Sequence, residues 1–214
     1  MHDRAIYWIV VEDAPVCARH IRDSLVQSDM LYAHVAVETP ENVRRNRNSP
    51  RGVSQRNLAL DIIDDLDTTG VVYFGDDDNA YDVQLFNELR MTTRVSVGSV
   101  AFSGGGAYER CLVDVTTGEV RGFATNWFGG RKFPIDMGGL AFHKSILSEK
   151  HPRFSNKYPS ELETRFVEQI VDRIADLKPM NENCTKVYVW HVKTNIPDGT
   201  LHVEGDSYGS MVLV

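Results

Sequence analysis

The chain of 214 residues is long enough for one large domain or two small ones, and its 42% hydrophobic and 25% charged residues are the balance of a globular protein. Its formal net charge of -7, with no basic run, disfavours attraction to nucleic-acid phosphates and excludes nucleic acid as a partner class. No stretch approaches the roughly 18 apolar residues that span a bilayer, and the opening "MHDRAIYWIVV" carries no signal-like region, so the chain as written reads as soluble.

The first element in chain order is "AIYWIVV", a continuous apolar run that predicts a strand buried on both faces and ending at Glu12-Asp13. "APVCARHIRDSLVQS" follows as a helix, with Pro15 near its start and Ile21, Leu25 and Val26 at helical spacing. "YAHVAVE" reads as a second strand. A polar loop rich in Asn and Arg leads to a helix with Leu58, Ile62 and Leu66 on one face, and "VVYF" is a third strand. This alternation predicts an α/β fold with a mostly parallel sheet, in which ligands bind beyond the carboxyl ends of the strands. Asp13 and the triplet Asp76, Asp77 and Asp78 fall at such ends, so one crevice is expected to hold them.

The second half has a different texture. "CLVDVTTGEVRGFATNW" predicts two strands joined by a Thr-Gly turn, "FPIDMGGLAF" a further strand, and "KVYVWHVKT" a closing one. "SELETRFVEQIVDRIADL" predicts an amphipathic helix with Leu162, Phe166, Ile170 and Ile174 inward. No linker, repeat or low-complexity tract intervenes. Residues 1–214 are therefore expected to form one domain, with a nucleotide-side half of about 1–95 and a substrate-side half of about 96–214. Cys17, Cys111 and Cys184 are widely spaced, without CxxC or His/Cys metal spacing, and predict isolated thiols rather than zinc or a disulfide framework. Asn183-Cys184-Thr185 is a sequon that makes Asn183 a glycan acceptor in a secretory lumen.

The chemistry concentrates after the third strand. In extended backbone, residues two apart point the same way, so Asp76 and Asp78 face one side and Asp77 the other. Hard divalent cations take carboxylate and water ligands and complete their shells with substrate phosphates, so a metal and a diphosphate are the partners this cluster lacks. The competing reading is a solvated turn, which suffices for Asp82 as a helix cap and for Tyr81 and Phe86 as a hydrophobic staple. An EF-hand loop is excluded by the missing Gly and distal Glu.

"VEDA", "PRGVSQRNLAL", "VVYFGDDDNAYDVQLFNELR", "RKFPIDMGGLAF" and "NCTKVYVWHVKT", in this order, resemble the animal beta-1,3-glucuronosyltransferases of the galactosylgalactosylxylosylprotein type. The resemblance covers about Ile6 to Lys193. It implies a GT-A (Rossmann-like) nucleotide-diphospho-sugar transferase fold, UDP-glucuronate as donor and a galactose-terminated proteoglycan linkage glycan as acceptor. It also implies Mn²⁺ as cofactor, inversion at the anomeric carbon, a homodimer and a Golgi location as a type II membrane protein. Position by position, Asp13 resembles the uracil-binding aspartate, and Arg51 and Arg56 donor-binding arginines. Asp76, Asp77 and Asp78 resemble the nucleotide and metal motif, with Asp78 the direct metal ligand. Glu109, Trp127, Arg131 and Asp136 resemble acceptor-side residues, Glu163 the catalytic base, and His191 a donor-sugar determinant accompanied by Lys193.

The residues themselves allow other roles. Ser160-Glu161-Leu162-Glu163 matches a capping box, Arg51 and Arg56 suit a solvated helix start, His191 a structural strand position, and Trp127 either core or an exposed sugar platform. Pro159 and Lys193 stand where the family has arginine, and Lys keeps the charge but loses the bidentate fork. The family's opening strand and helix, with a Pro-Thr-Tyr motif, are not in this sequence, so the chain reads as a shortened product or an incomplete gene model. That raises an alternative, a catalytically impaired member that binds UDP or a partner. A phosphohydrolase with Asp76 as nucleophile and Asp78 as acid fits poorly, because Ala80 replaces the expected Thr or Val and no later Lys with an acidic pair follows.

Overall fold

A computed structural model describes residues 6–46, 48–127, 129–158, 160–192 and 212–213. The chain divides into two compact units, Met1–Asp67 with Arg153–Leu162, and Thr68–Pro152 with Glu163–Val214.

In the first unit, strand β1 (Tyr7–Glu12) lies parallel to β2 (Leu31–Ala36), with helix α1 (Arg19–Gln27) between them in sequence. The parallel crossover is as expected, but β1 is not buried on both faces. Among the described residues β2 is its one partner, and Tyr7 and Trp8 stay 44% and 46% exposed. On α1, Leu25 is buried while Val26 points outward. The polar loop contains a short helix α2 (Glu41–Arg44), and Gly52, with φ +75°, turns the chain into α3 (Val53–Asp65). That left-handed entry costs glycine little. The fully buried face of α3 is Val53 and Leu60, seven residues apart, rather than the Leu58, Ile62 and Leu66 face, which is only half-buried. The second segment of this unit is fastened to α3 by the Asn57 amide, which donates to the Phe154 carbonyl and accepts the Phe154 N–H.

The second unit contains, in chain order, β3 (Val71–Tyr73), β4 (Asn79–Tyr81), α4 (Leu85–Arg90), β5 (Val95–Val97), β6 (Ser99–Ala101), β7 (Tyr108–Val113), β8 (Val120–Ala124), β9 (Leu140–His143) and α5 (Ser145–Lys150). Then come α6 (Leu162–Ile170), β10 (Lys178–Pro179), α7 (Asn181–Cys184), β11 (Lys186–His191) and β12 (Val212–Leu213). One sheet has the order β10-β5-β9-β3, and the other β12-β11-β6-β7-β8 with β4 also paired to β11. Pairing is parallel for β10 with β5 and for β11 with β6 and β12, and antiparallel elsewhere in this unit. The fold is α/β, as the sequence predicts, with mixed rather than mostly parallel sheets.

The core of this unit includes Leu85, Leu89, Val100, Ala141, Met180, Tyr188 and Val189, against which Tyr81 and Phe86 pack. The predicted staple is thus part of the core. Asp82 accepts the Gln84 N–H and leads the chain into α4. Phe74 meets Phe142 and Phe166 at ring separations of 6.4 and 6.1 Å, and so anchors the chain just before Gly75 and the aspartates. Several features of this unit depart from expectation. Helix α6 ends at Ile170, because Asp176 accepts both the backbone N–H and the guanidinium of Arg173 and starts a separate 3-10 turn over Ile174–Asp176. Strands β5 and β6 were not anticipated. Cys111 and Cys184 form a disulfide with Cα atoms 5.7 Å apart, which corrects the expectation of isolated thiols. Residues far apart in sequence give no spacing signal, and such a long covalent loop stabilises a fold by about 2–4 kcal/mol. In α7, Asn181, Glu182, Asn183 and Cys184 all have positive φ, a left-handed turn of non-glycine residues. It is held by Glu88, which accepts the Asn181 N–H, and by Ser99, which donates to the Cys184 carbonyl.

Candidate active site

The aspartate triplet occupies the turn between β3 and β4, closed by the Asn79 N–H donating to the Asp76 carbonyl at 3.3 Å. Asp76 and Asp78 are half-buried and Asp77 is exposed, the alternation expected from sequence. Antiparallel pairing of β4 with β11 sets Asn79 opposite His191, and the Val192 N–H donates to the Asp78 carbonyl. Register therefore delivers the His191 ring to the triplet. Its Nε2 lies 3.3 Å from Asp78 Oδ2 and its Nδ1 3.3 Å from Asp136 Oδ2. Ser103 Oγ donates to the same Asp136 oxygen at 2.7 Å, and the Gly138 N–H donates to Asp136 Oδ1 at 2.9 Å. The result is a continuous polar chain, Asp78–His191–Asp136–Ser103. Two tyrosines support it from behind: Tyr81 donates to the Asp76 carbonyl and Tyr73 to the Gly138 carbonyl. Burial pushes both phenols above the ordinary tyrosine range, so they stay neutral donors.

The hydrogen bond to Asp136 raises the His191 pKa above 6.5 against the opposing effect of burial, and the charges of Asp136, Asp78 and Asp76 add to it. Burial pushes Asp136 up, but bonds from His191, Ser103 and the Gly138 N–H prevail and hold it below 3.8. In the metal-free protein, what His191 adds to stability is fully present below pH 6.5 and is lost as pH rises through its raised pKa. What Asp136 adds is present above pH 3.8 and is lost as pH falls through its lowered pKa. Urea unfolding of the unaltered protein and of His191→Gln is therefore expected to differ most between these limits, with the gap closing above pH 6.5. A gap that widens toward alkaline pH would overturn the assignment.

A second group lies on β7 and the loop after β8. Glu109 and Arg131 are 3% and 7% exposed and meet at 2.6 Å, with Thr125 Oγ1 also donating to Glu109. Arg131 donates to the Trp127 carbonyl and lies 4.4 Å over the Trp127 ring, whose other surface contributes to a residue 45% exposed. Trp127 is thus exposed rather than core. Gly104, with φ +65°, makes room for this pair, because a Cβ there would fall 2.5 Å from Glu109 Cγ. Glu163 stands half-buried in the first turn of α6, and its neighbour Thr164 accepts the Phe133 N–H at 2.8 Å, which ties that turn to the loop between Arg131 and Asp136. Ser160 has φ +67°, not the extended backbone of a capping residue.

Asp13, Arg51 and Arg56 belong to the first unit. Asp13 accepts the Thr39 N–H and hydroxyl at 2.7 and 2.8 Å and lies 3.4 Å from Arg44. Burial raises its pKa, but these bonds outweigh it and leave the carboxylate below its ordinary range. Arg56 donates to the Arg51 carbonyl and lies 5.7 Å over the Phe154 ring, while Arg51 is exposed. Lys193 and Pro159 lie outside the described residues. Asn183 is exposed. Sequence reasoning missed Ser103, Tyr73 and Arg44; a tyrosine on each side of the triplet was the available signal for Tyr73.

As a metal site, the triplet offers hard carboxylate oxygens, but among the described residues its members do not gather into a three-ligand cluster. Asp78, half-buried at the turn, would be the one protein carboxylate on a cation there, with substrate phosphates and water completing the shell.

Residues 1–195 match the sequence profile of glycosyltransferase family 43. Galactosylgalactosylxylosylprotein 3-beta-glucuronosyltransferase 1 of Homo sapiens is 38% identical over 92% of this chain and 62% of its own length. Galactosylgalactosylxylosylprotein 3-beta-glucuronosyltransferase 3 of Mus musculus is 39% identical, covering 90% of this chain and 62% of its own length. Galactosylgalactosylxylosylprotein 3-beta-glucuronosyltransferase 2 of Homo sapiens is 38% identical, covering 88% and 60%. The chain spans about three fifths of the length of these curated relatives. No helix among the described residues is long and apolar enough to cross a membrane. On the match over residues 1–195, the chain belongs to glycosyltransferase family 43.

Proposed function

We propose that this chain carries the catalytic machinery of an inverting glucuronosyltransferase, moving glucuronate from UDP-glucuronate to the 3-hydroxyl of a terminal galactose on a linkage-region glycan. The observation that carries this reading is the polar chain from Asp78 through His191 to Asp136, which continues the metal motif into a histidine and a buried carboxylate. Within the first unit, Asp13 is proposed as the uracil acceptor and Arg51 and Arg56 as donor-binding cations; within the second, Asp76, Asp77 and Asp78 are proposed to face the diphosphate. Bound at Asp78, Mn²⁺ would supply positive charge for the departing diphosphate. His191, held between Asp78 and Asp136, offers a ring N–H to the donor sugar. Trp127 offers a face for the acceptor ring, with Arg131 and Glu109 behind it. Glu163 takes the proton from the attacking hydroxyl, which then displaces UDP at the anomeric carbon.

The exposed Asn183 sequon and the Cys111–Cys184 disulfide favour an oxidising lumen, which supports a Golgi location; a homodimer belongs to the same proposal and rests on the family resemblance alone. The test is incubation of the purified protein with UDP-glucuronate, Mn²⁺ and a galactosyl-galactose acceptor. UDP and a β-linked glucuronide are expected in equal amounts. Folded protein that makes neither product with any galactoside would refute the proposal.

A further inference from the structure

Away from the aspartate turn, the first unit holds a second cluster of metal-ligating side chains. Glu12 ends β1, His34 lies in the middle of β2, and Cys17 precedes α1. One ligand atom from each of the three lies within 4.8 Å of the others. The parallel register brings β1 and β2 together, and Glu12 Oε1 meets His34 Nε2 at 2.5 Å. The Ala18 N–H donates to the same Glu12 oxygen at 2.8 Å, which draws the turn bearing Cys17 onto the pair. The His34 side chain is only 4% exposed, and its Nδ1 is buried without a hydrogen-bond partner. Protein contacts therefore satisfy one ring nitrogen and leave the other bare. The bare nitrogen marks a buried ring whose hydrogen bonding the protein alone does not complete, and the ring can present either nitrogen.

We propose that Glu12, Cys17 and His34 bind a borderline-soft divalent cation of the Zn²⁺ type. The donor set decides the class of ion. Thiolate sulfur and imidazole nitrogen select zinc over manganese or magnesium, and three protein ligands with one water complete a tetrahedral shell. Ligands about 2.0–2.3 Å from a tetrahedral zinc stand about 3.5 Å apart, so Glu12 Oε1 and His34 Nε2, 2.5 Å apart, would open by about 1 Å as the ion takes the place of the proton between them, within a cluster whose ligand atoms span at most 4.8 Å. Binding releases the Cys17 thiol proton and displaces the proton between Glu12 and His34, so affinity rises with pH. The ion would clamp the end of β1, the middle of β2 and the turn between β1 and α1, directly beside Asp13.

Cys17 is the one cysteine outside the disulfide, which makes the test specific. Titrating the whole chain with Co²⁺ is expected to give one site per chain with a sulfur-to-cobalt charge-transfer band, a signal that cobalt on Asp78 cannot produce. Cys17→Ser should abolish the band, and both Cys17→Ser and His34→Gln should weaken Zn²⁺ binding at that site at least about 100-fold. Glutamine can still donate to Glu12, so His34→Gln keeps the tie between the strands. In the unaltered protein, Zn²⁺ should slow alkylation of Cys17 by iodoacetamide. No charge-transfer band together with an alkylation rate indifferent to Zn²⁺ would overturn the proposal and leave the cluster as a hydrogen bond with a neighbouring thiol.

Discussion

Glu163→Gln is expected to lower glucuronosyl transfer by about 10²–10⁴-fold, the usual contribution of a general base. Glutamine keeps the shape of the side chain and can still bond locally, so the first turn of α6 should persist. Helix position is fixed independently by Thr164, which accepts the Phe133 N–H, and by Phe166, fully buried against Phe74 and Phe142. What the substitution removes is proton affinity. The loss should therefore appear in kcat with little change in KM for the donor, and the acid limb of the pH–rate profile should vanish. A glutamine variant with unchanged kcat would place the base elsewhere, and Asp136 would be the next residue to examine.

Arg131→Met should cost about 3–5 kcal/mol of stability, because it leaves the Glu109 carboxylate buried without its counter-charge. Both side chains are 3% exposed, so water cannot stand in for the lost partner. The second effect separates folding from recognition. Replacing both members, Glu109→Gln with Arg131→Met, removes the stranded charge and should recover most of the stability measured by urea unfolding. Transfer activity should not recover, because the proposed acceptor face at Trp127 loses the guanidinium packed on its ring. A double variant as unstable as the single one would show that Glu109 is held by something other than Arg131.

Much of the fold was readable from periodicity. β1, α1, β2, α3, β3, β7, β8, β9 and β11 fall where the apolar patterns put them, and the parallel pairing of β1 with β2 follows from the intervening helix. β5 and β6 escaped because their strands are three residues long and buried throughout, which leaves no alternation to detect. The length of α6 was overestimated because Ile174 continues the helical spacing although Asp176 diverts the backbone. At the site, the triplet announced itself by charge, but the link from Asp78 to Asp136 did not. It depends on the pairing of Asn79 with His191 and on a residue 55 positions away from that histidine, a relation that only tertiary structure supplies. Position-by-position resemblance named His191 and Asp136 as members of different subsites; the structure joins them in one hydrogen-bonded chain.

The left-handed turn of α7 carries the sequon as well as one end of the disulfide. Left-handed backbone costs non-glycine residues roughly 1–2 kcal/mol each, so the turn is a wound segment that the bond to β7 keeps from unwinding. With Cys184 buried and covalently tied, Asn183 and Thr185 are fixed in a coiled tripeptide. Any chemistry that needs this tripeptide extended is therefore expected to act on the chain before the sulfur bond forms.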